Sequence, residues 1–196
     1  DILNEYLQFG GRPAFTVRLL LAATLAASYR IYRPAFELLE SSPREPGSEE
    51  YLNSEKYEIR SWYRDSPDSL KDLIARVNQI RKENPALQSD RRLRFHEIDN
   101  EQILCYSKCS QDGANVIAVA VNLDPHHVQS GWVKIPVESL GLDPLESYQA
   151  HDLLSGARFL WHGERNYVEL HPQTAPAHIL RLRRRTRREQ DFDYFM

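Results

Sequence analysis

The sequence predicts an α/β segment followed by an all-β one: the end of a (β/α)8 barrel, with its final helices and a strand, and then an antiparallel β-sandwich. Two observations carry this reading. Helical periodicity dominates up to residue 88, and after Arg92 the apolar residues switch to alternation in seven short runs separated by turn residues. The helix over residues 14–28 is apolar on most sides and needs a sheet to cover it, which a single neighbouring strand does not supply. The chain therefore divides into residues 1–88, residues 93–183 and a polar tail, 184–196.

Each element follows from local chemistry. Ile2, Leu3, Tyr6 and Leu7 recur at helical spacing behind Asp1, an N-cap residue type, and Gly10-Gly11 stops that helix. Pro13 suits a first helical turn, and Ala14 to Ser28 is rich in Ala and Leu. Tyr29, Ile31 and Tyr32 are β-prone and end at Pro34, and Glu37 to Asn53 is a long polar loop holding Pro43, Pro46 and Gly47. Ser66 is the expected cap of a helix with Pro67 in its first turn and Leu70, Leu73, Ile74, Val77 and Ile80 as its apolar stripe, ending at Asn84-Pro85. The strands are expected over 93–98, 102–107, 115–123, 132–137, 158–161, 166–170 and 178–182.

Of the 196 residues, 41% are hydrophobic and 27% charged, an ordinary globular balance. A net charge of −3 gives no basic field to recruit nucleic acid or an anionic membrane, and the longest apolar stretch, Leu19 to Ala27, is too short to span a bilayer. Cys105 and Cys109 lie four apart in one extended segment, too far to bridge, and read as free thiols suited to a reducing, cytoplasmic setting. No metal and no cofactor is expected. The only Met stands last and Asp1 opens directly into helical periodicity, so the chain reads as part of a longer polypeptide.

Three segments point further. Residues 1–15 (DILNEYLQFGGRPAF), 31–38 (IYRPAFEL) and 47–57 (GSEEYLNSEKY) resemble the end of the catalytic domain of the α-1,4-glucan:maltose-1-phosphate maltosyltransferases, a glycoside-hydrolase-13-type family of the α-amylase superfamily. The remainder, with Val121-Asn-Leu-Asp-Pro-His-His and Ala177-His-Ile-Leu-Arg-Leu, is similar to that family's C-terminal β-sandwich. The resemblance implies transfer of maltosyl units from α-maltose 1-phosphate to the non-reducing end of α-1,4-glucans, with retention and release of phosphate. Retention by double displacement needs a nucleophilic carboxylate and an acid/base carboxyl, which the resemblance places before residue 1. It leaves here Asp1, which stabilises the transition state, and Lys56 and Tyr57, which bind the donor. Electrostatics makes sense of the first, because an ionised carboxylate opposes positive charge developing on the sugar ring. An ammonium and a phenol suit sugar and phosphate oxygens. Arg33 departs from the family, where Gly is common. A homodimer is expected from the resemblance alone, as is inactivity of these 196 residues by themselves. The competing readings are a related amylase-type hydrolase or trehalose-forming enzyme, and a glucan-binding module without chemistry.

Other constellations read as structural. His126-His127 and His151-Asp152 lack a third ligand at metal spacing. Trp132, Trp161 and Tyr167 could stack on sugars but read first as strand-domain core. The run Arg181 to Arg188 follows the last expected strand and reads as a solvated tail or a subunit contact, and Glu37, Glu40, Glu49 and Glu50 as acids of a solvated loop.

Overall fold

A computed structural model describes residues 2–32, 34–54, 59–63 and 65–184. Two α-helices, two 3-10 turns (Pro85–Gln88 and Val137–Leu140) and eight strands are found among them: α1 (Glu5–Leu25), α2 (Lys71–Glu83), β1 (Arg94–Ile98), β2 (Ile103–Cys109), β3 (Val116–Asn122), β4 (Gln129–Lys134), β5 (Ser147–Asp152), β6 (Arg158–His162), β7 (Arg165–Leu170) and β8 (Ala177–Arg184).

The β part is antiparallel throughout, as expected, but it forms one continuous ladder in the order β6-β5-β8-β3-β2-β1-β4-β7. That sheet curls until its two end strands, joined through Gly163 and Glu164, come near each other, so the result approaches a barrel. Inside the curl lies an apolar core of Val116, Ala118, Val133, Tyr148, Trp161 and Leu182 among others. Strand β5 was absent from the expected set because Ser-Tyr-Gln-Ala-His-Asp carries only two apolar residues; its alternating burial comes from Tyr148, Ala150 and Asp152.

Helices α1 and α2 lie against the outer face of the same sheet. Leu7, Phe15, Leu19 and Leu20 of α1 and Ile74, Val77 and Ile80 of α2 share a second core with Tyr106, Ile117, Val119 and Ile179. The cover for the apolar helix thus comes from β3, β2 and β8 of this chain, a correction to the expectation that an upstream sheet must supply it. Tyr29 to Tyr32 likewise form no strand, because ladder bonds need a neighbouring edge and none of the described residues provides one.

Helix α1 breaks where Gly10-Gly11 stand: Gly11 has φ 57° and ψ −157°, a conformation open essentially to glycine alone. The N-cap is Asn4, whose side chain accepts from the Leu7 amide at 3.2 Å, rather than Asp1. At the other end the orphan carbonyls meet cations. Arg81 donates to Ala26 O at 3.0 Å and Ala27 O at 2.6 Å, and the Lys108 ammonium to Leu25 O at 2.9 Å. Helix α2 starts at Lys71, later than Ser66 suggested; Ser66 instead accepts from the Asp68 amide in a turn. It ends at Asn84-Pro85 as expected.

Candidate functional site

Asp1, Lys56, Tyr57 and Arg33 lie outside the described residues. Their neighbours are described, and the fold stitches them together. The Leu3 amide donates to Glu49 O at 2.8 Å. The Gln8 side chain donates through Nε2 to Leu3 O at 2.7 Å and to Ser48 O at 3.0 Å. The first residues of the chain are thereby tied to the loop over 48–51. Tyr51, 5% exposed, packs its ring 5.5 Å from that of Tyr32. Three segments distant in sequence converge on a cavity of about 270 Å³ lined by Ile2, Asn4, Arg18, Tyr32 and Tyr51 among others.

No carboxylate is found among the described residues lining this cavity. Burial, helped by Tyr32 and Glu40, pushes the Tyr51 phenol up to about 12, so it stays a neutral donor and acceptor. Glu40 pairs with Arg60. Burial raises the pKa of that acid, but hydrogen bonds from Arg60 and Ser42 outweigh it and hold the group below the ordinary carboxylate range. Arg60 in turn donates to Leu52 O at 3.2 Å and stacks 4.0 Å over Trp62. Glu37 is buried rather than solvated, and Glu50 pairs with Arg44 at 3.0 Å. The loop acids shape the loop, and the cavity wall offers aromatic faces, phenol hydroxyls and the two guanidiniums of Arg18 and Arg30, the chemistry of a polyol site. The sequence marks Tyr32 only as β-prone and Tyr51 only as part of a motif, and does not single out Arg60, because their contacts join residues far apart in the chain.

A second cavity, of about 340 Å³, opens between the helices and the turn before β8, with Arg12, Thr16, Arg76, Asp152 and Gln173 in its wall. Its charged groups already have partners. Arg76 donates twice to Leu153 O (3.0 and 2.5 Å) and Arg12 to Asp68 O at 2.7 Å. The Asp152 carboxylate accepts from the Leu154 and Ile179 amides and Ser155 Oγ, and contacts His178 Nδ1 at 3.1 Å. This is an anchor for the end of β5.

The remaining singled-out residues resolve individually. Asp124 accepts from the His126 and His127 amides in the turn after β3, and His151 sits in β5. Cys105 and Cys109 are both free, and burial raises the Cys105 thiol to about 12. The arginine run begins inside β8, a correction: Arg181 donates to Asn84 Oδ1 (3.0 and 2.6 Å) and Arg184 to Gly141 O (3.0 and 2.6 Å), and Arg185 to Arg188 lie outside the described residues. Of the three aromatics, Trp161 is core, while Trp132 and Tyr167 are exposed. No helix of the described residues is long and apolar enough to cross a membrane.

Comparisons with known proteins bear on both parts of the chain. Residues 95–182 match the family GLGE, C-terminal. The chain is 48% identical over 188 residues to an α-1,4-glucan:maltose-1-phosphate maltosyltransferase of Chlorobaculum tepidum, covering 93% of this chain and 28% of that protein. It is 49% identical to one of Rhodospirillum rubrum (93% and 26%) and 47% identical to maltosyltransferase 2 of Streptomyces coelicolor (94% and 28%). The chain spans just over a quarter of the length of these relatives. In fold it is similar to an α-amylase of Geobacillus thermoleovorans complexed with acarbose, with TM-score 0.61 at 15% identity over 93% of this chain and 35% of that one. A maltogenic α-amylase of Thermotoga neapolitana gives TM-score 0.59 at 12% identity over 89% and 37%.

Proposed function

Since the chain belongs with the α-1,4-glucan:maltose-1-phosphate maltosyltransferases, residues 95–182 as their GLGE C-terminal domain, we propose that it serves the transfer of maltosyl units from α-maltose 1-phosphate to the non-reducing end of α-1,4-glucans, with release of phosphate. One observation carries the reading. Identity of 43–49% extends over nearly the whole chain, helices and loops included, and each of those relatives bears the maltosyltransferase name. The amylase-type hydrolases share only the fold.

Within this reading, residues 1–88 close a (β/α)8 catalytic barrel and residues 93–183 form a β domain beside it. The nucleophile and the acid/base belong to the rest of the barrel. Asp1 holds negative charge next to the ring as the oxocarbenium character grows, and Lys56 and Tyr57 hold the donor. Support for their placement comes from the neighbouring backbone: the Leu3–Glu49 and Gln8–Ser48 hydrogen bonds join the two segments that carry them. The proposed setting is cytoplasmic and the proposed assembly a homodimer.

Phosphate release from α-maltose 1-phosphate, measured on the full-length protein with a malto-oligosaccharide acceptor, tests the reading. Acceptor-dependent release with elongation by two glucose units is expected, and hydrolysis to maltose without elongation overturns it. Asp1→Asn should lower turnover by at least ~100-fold with a smaller change in donor binding, the pattern of a lost transition-state interaction. Near-normal turnover removes Asp1 from the site.

A further inference from the structure

Strands β4 and β7 present their outer face to solvent, and that face carries two aromatic rings. Trp132 and Tyr167 are direct cross-strand partners. Their rings lie 5.6 Å apart at an inclination of 62°, and they are 45% and 48% exposed. Leaving such apolar surface in water is unfavourable. The interior offered an alternative, since Trp161 of the same sheet is 7% exposed.

Polar contacts surround both rings. The Trp132 amide donates to Asp99 Oδ1 at 2.6 Å. The same carboxylate pairs with the Arg165 guanidinium at 3.4 Å, and that guanidinium sits 5.1 Å from the centre of the Trp132 ring. On the other side the Tyr167 hydroxyl donates to Glu169 Oε2 at 3.3 Å, and the second Glu169 oxygen contacts His171 Nε2 at 3.1 Å. Gly131 is there because a Cβ would stand 2.8 Å from Asp99 Oδ1. These contacts favour one orientation of each ring before a ligand arrives, which lowers the ordering entropy in the cost of binding.

Size and charge select the occupant. From the 150–250 Å² that an aromatic side chain buries, two half-exposed rings offer on the order of 200 Å², well short of the ~800 Å² per partner of a stable protein interface. The rim carries Lys134 and Arg165 against Asp99 and Glu169, so it has no net sign to attract nucleic acid or anionic lipid. Against a protein face each of those charges would require its own partner. A pyranose chain meets all these conditions. Its C–H faces lie on aromatic rings, and each hydroxyl both donates and accepts, serving the acids and the cations alike. Successive sugars of an α-1,4-linked chain turn relative to one another, which two inclined rings follow better than two coplanar ones.

We propose that the Trp132–Tyr167 pair is a binding platform for a chain of α-1,4-linked glucose on the outer face of the β domain. The identity of the polymer rests on the maltosyltransferase reading; the platform itself rests on the geometry. The test is native electrophoresis of the full-length protein through gels containing amylose, with a β-1,4-linked glucan as control, together with maltoheptaose titration followed by tryptophan fluorescence. The unmodified protein should be retarded by amylose and not by the control, and Trp132→Ala and Tyr167→Ala should each weaken retention roughly tenfold. Trp132→Phe, which keeps an aromatic face, should retain most of it, as should Phe159→Ala, which removes an exposed ring elsewhere. Unchanged retention in both alanine variants overturns the platform, as does loss in Phe159→Ala as large as in Trp132→Ala. Dissociation of a dimer in Trp132→Ala with retention unaltered also overturns it, assigning the face to a second copy of the chain. Trp132-dependent retention without phosphate release would sink the maltosyl reading and leave the platform standing; phosphate release without such retention sinks the platform alone.

Discussion

Asn84 and Arg181, 97 residues apart, meet where helix α2 ends against strand β8: the fully buried Asn84 Oδ1 accepts from Arg181 Nε at 3.0 Å and Nη2 at 2.6 Å. The same oxygen accepts from Asn115 at 2.9 Å, while the Asn84 amide nitrogen donates to Ile80 O at 2.7 Å. One side chain thus ties the helix end, the turn before β3, and β8. Asn84→Ala leaves those donors without their shared acceptor and is expected to cost roughly 2–4 kcal/mol. At about 2–4 °C per kcal/mol for a domain of this size, a thermal melt resolves it. A melting temperature within a degree of the parent would show that the network is dispensable.

The Tyr106 hydroxyl and Thr24 Oγ1, 2.5 Å apart, join sheet to helix in the outer core. Thr24 also bonds Leu20 O at 2.6 Å. Tyr106→Phe should cost about 1 kcal/mol, and adding Thr24→Val should cost less than the sum of the two single changes, because the second no longer breaks the shared bond. Urea midpoints of the four proteins check this, and strict additivity would contradict it.

Gly11 turns α1 with a positive φ that a Cβ does not tolerate at its ψ. Gly11→Ala should destabilise by roughly 1–3 kcal/mol. Because the turn sets the course of residues 2–10 against the 48–51 loop, it should also lower turnover of the full-length protein. Full activity together with an unchanged melting temperature would mean that the backbone relaxes without consequence.

Burial, with Arg94 nearby, pushes the His96 imidazole down to about 4, and its Nε2 lies 2.7 Å from Ser107 Oγ. Between that value and the ordinary 6.5 the unfolded chain binds the proton and the folded chain does not. Stability therefore rises with pH across this window and is lost as pH falls from about 6.5 toward 4. Denaturant midpoints from pH 4 to 7 should slope upward, and His96→Gln should flatten the slope. An equal slope in both proteins would assign it to other groups.

Much of this architecture was legible because it rests on local chemistry. Gly10-Gly11 announced a break, Asn84-Pro85 a helix end, and the alternating runs after Arg92 the strands of an antiparallel sheet. What escaped depends on distance in the chain. Strand β5 is recognisable only once Tyr148 and Ala150 face a core built by β6 and β8. The Tyr29–Tyr32 run has strand propensity, but propensity yields a strand only beside an edge. Arg181 reads as tail until Asn84 is placed opposite it. Of the candidate site, Asp1, Lys56 and Tyr57 were reached through family resemblance; the Tyr32–Tyr51 pair and the Glu40–Arg60 ion pair depend on contacts between residues 19 and 20 apart, which no periodicity encodes.

Strand β3 is buried along all seven residues, with Val116, Ala118 and Ala120 turned into the curl and Ile117, Val119 and Val121 turned toward the helices. It is a party wall, and neither room can be remodelled without the other feeling it. A larger side chain at Ala118 pushes on the floor beneath α1, and displacing α1 removes the support that keeps the wall flat. The segments bearing the candidate site and the sheet bearing the aromatic face are mechanically one piece, so selection on either is constrained by the volume of the other.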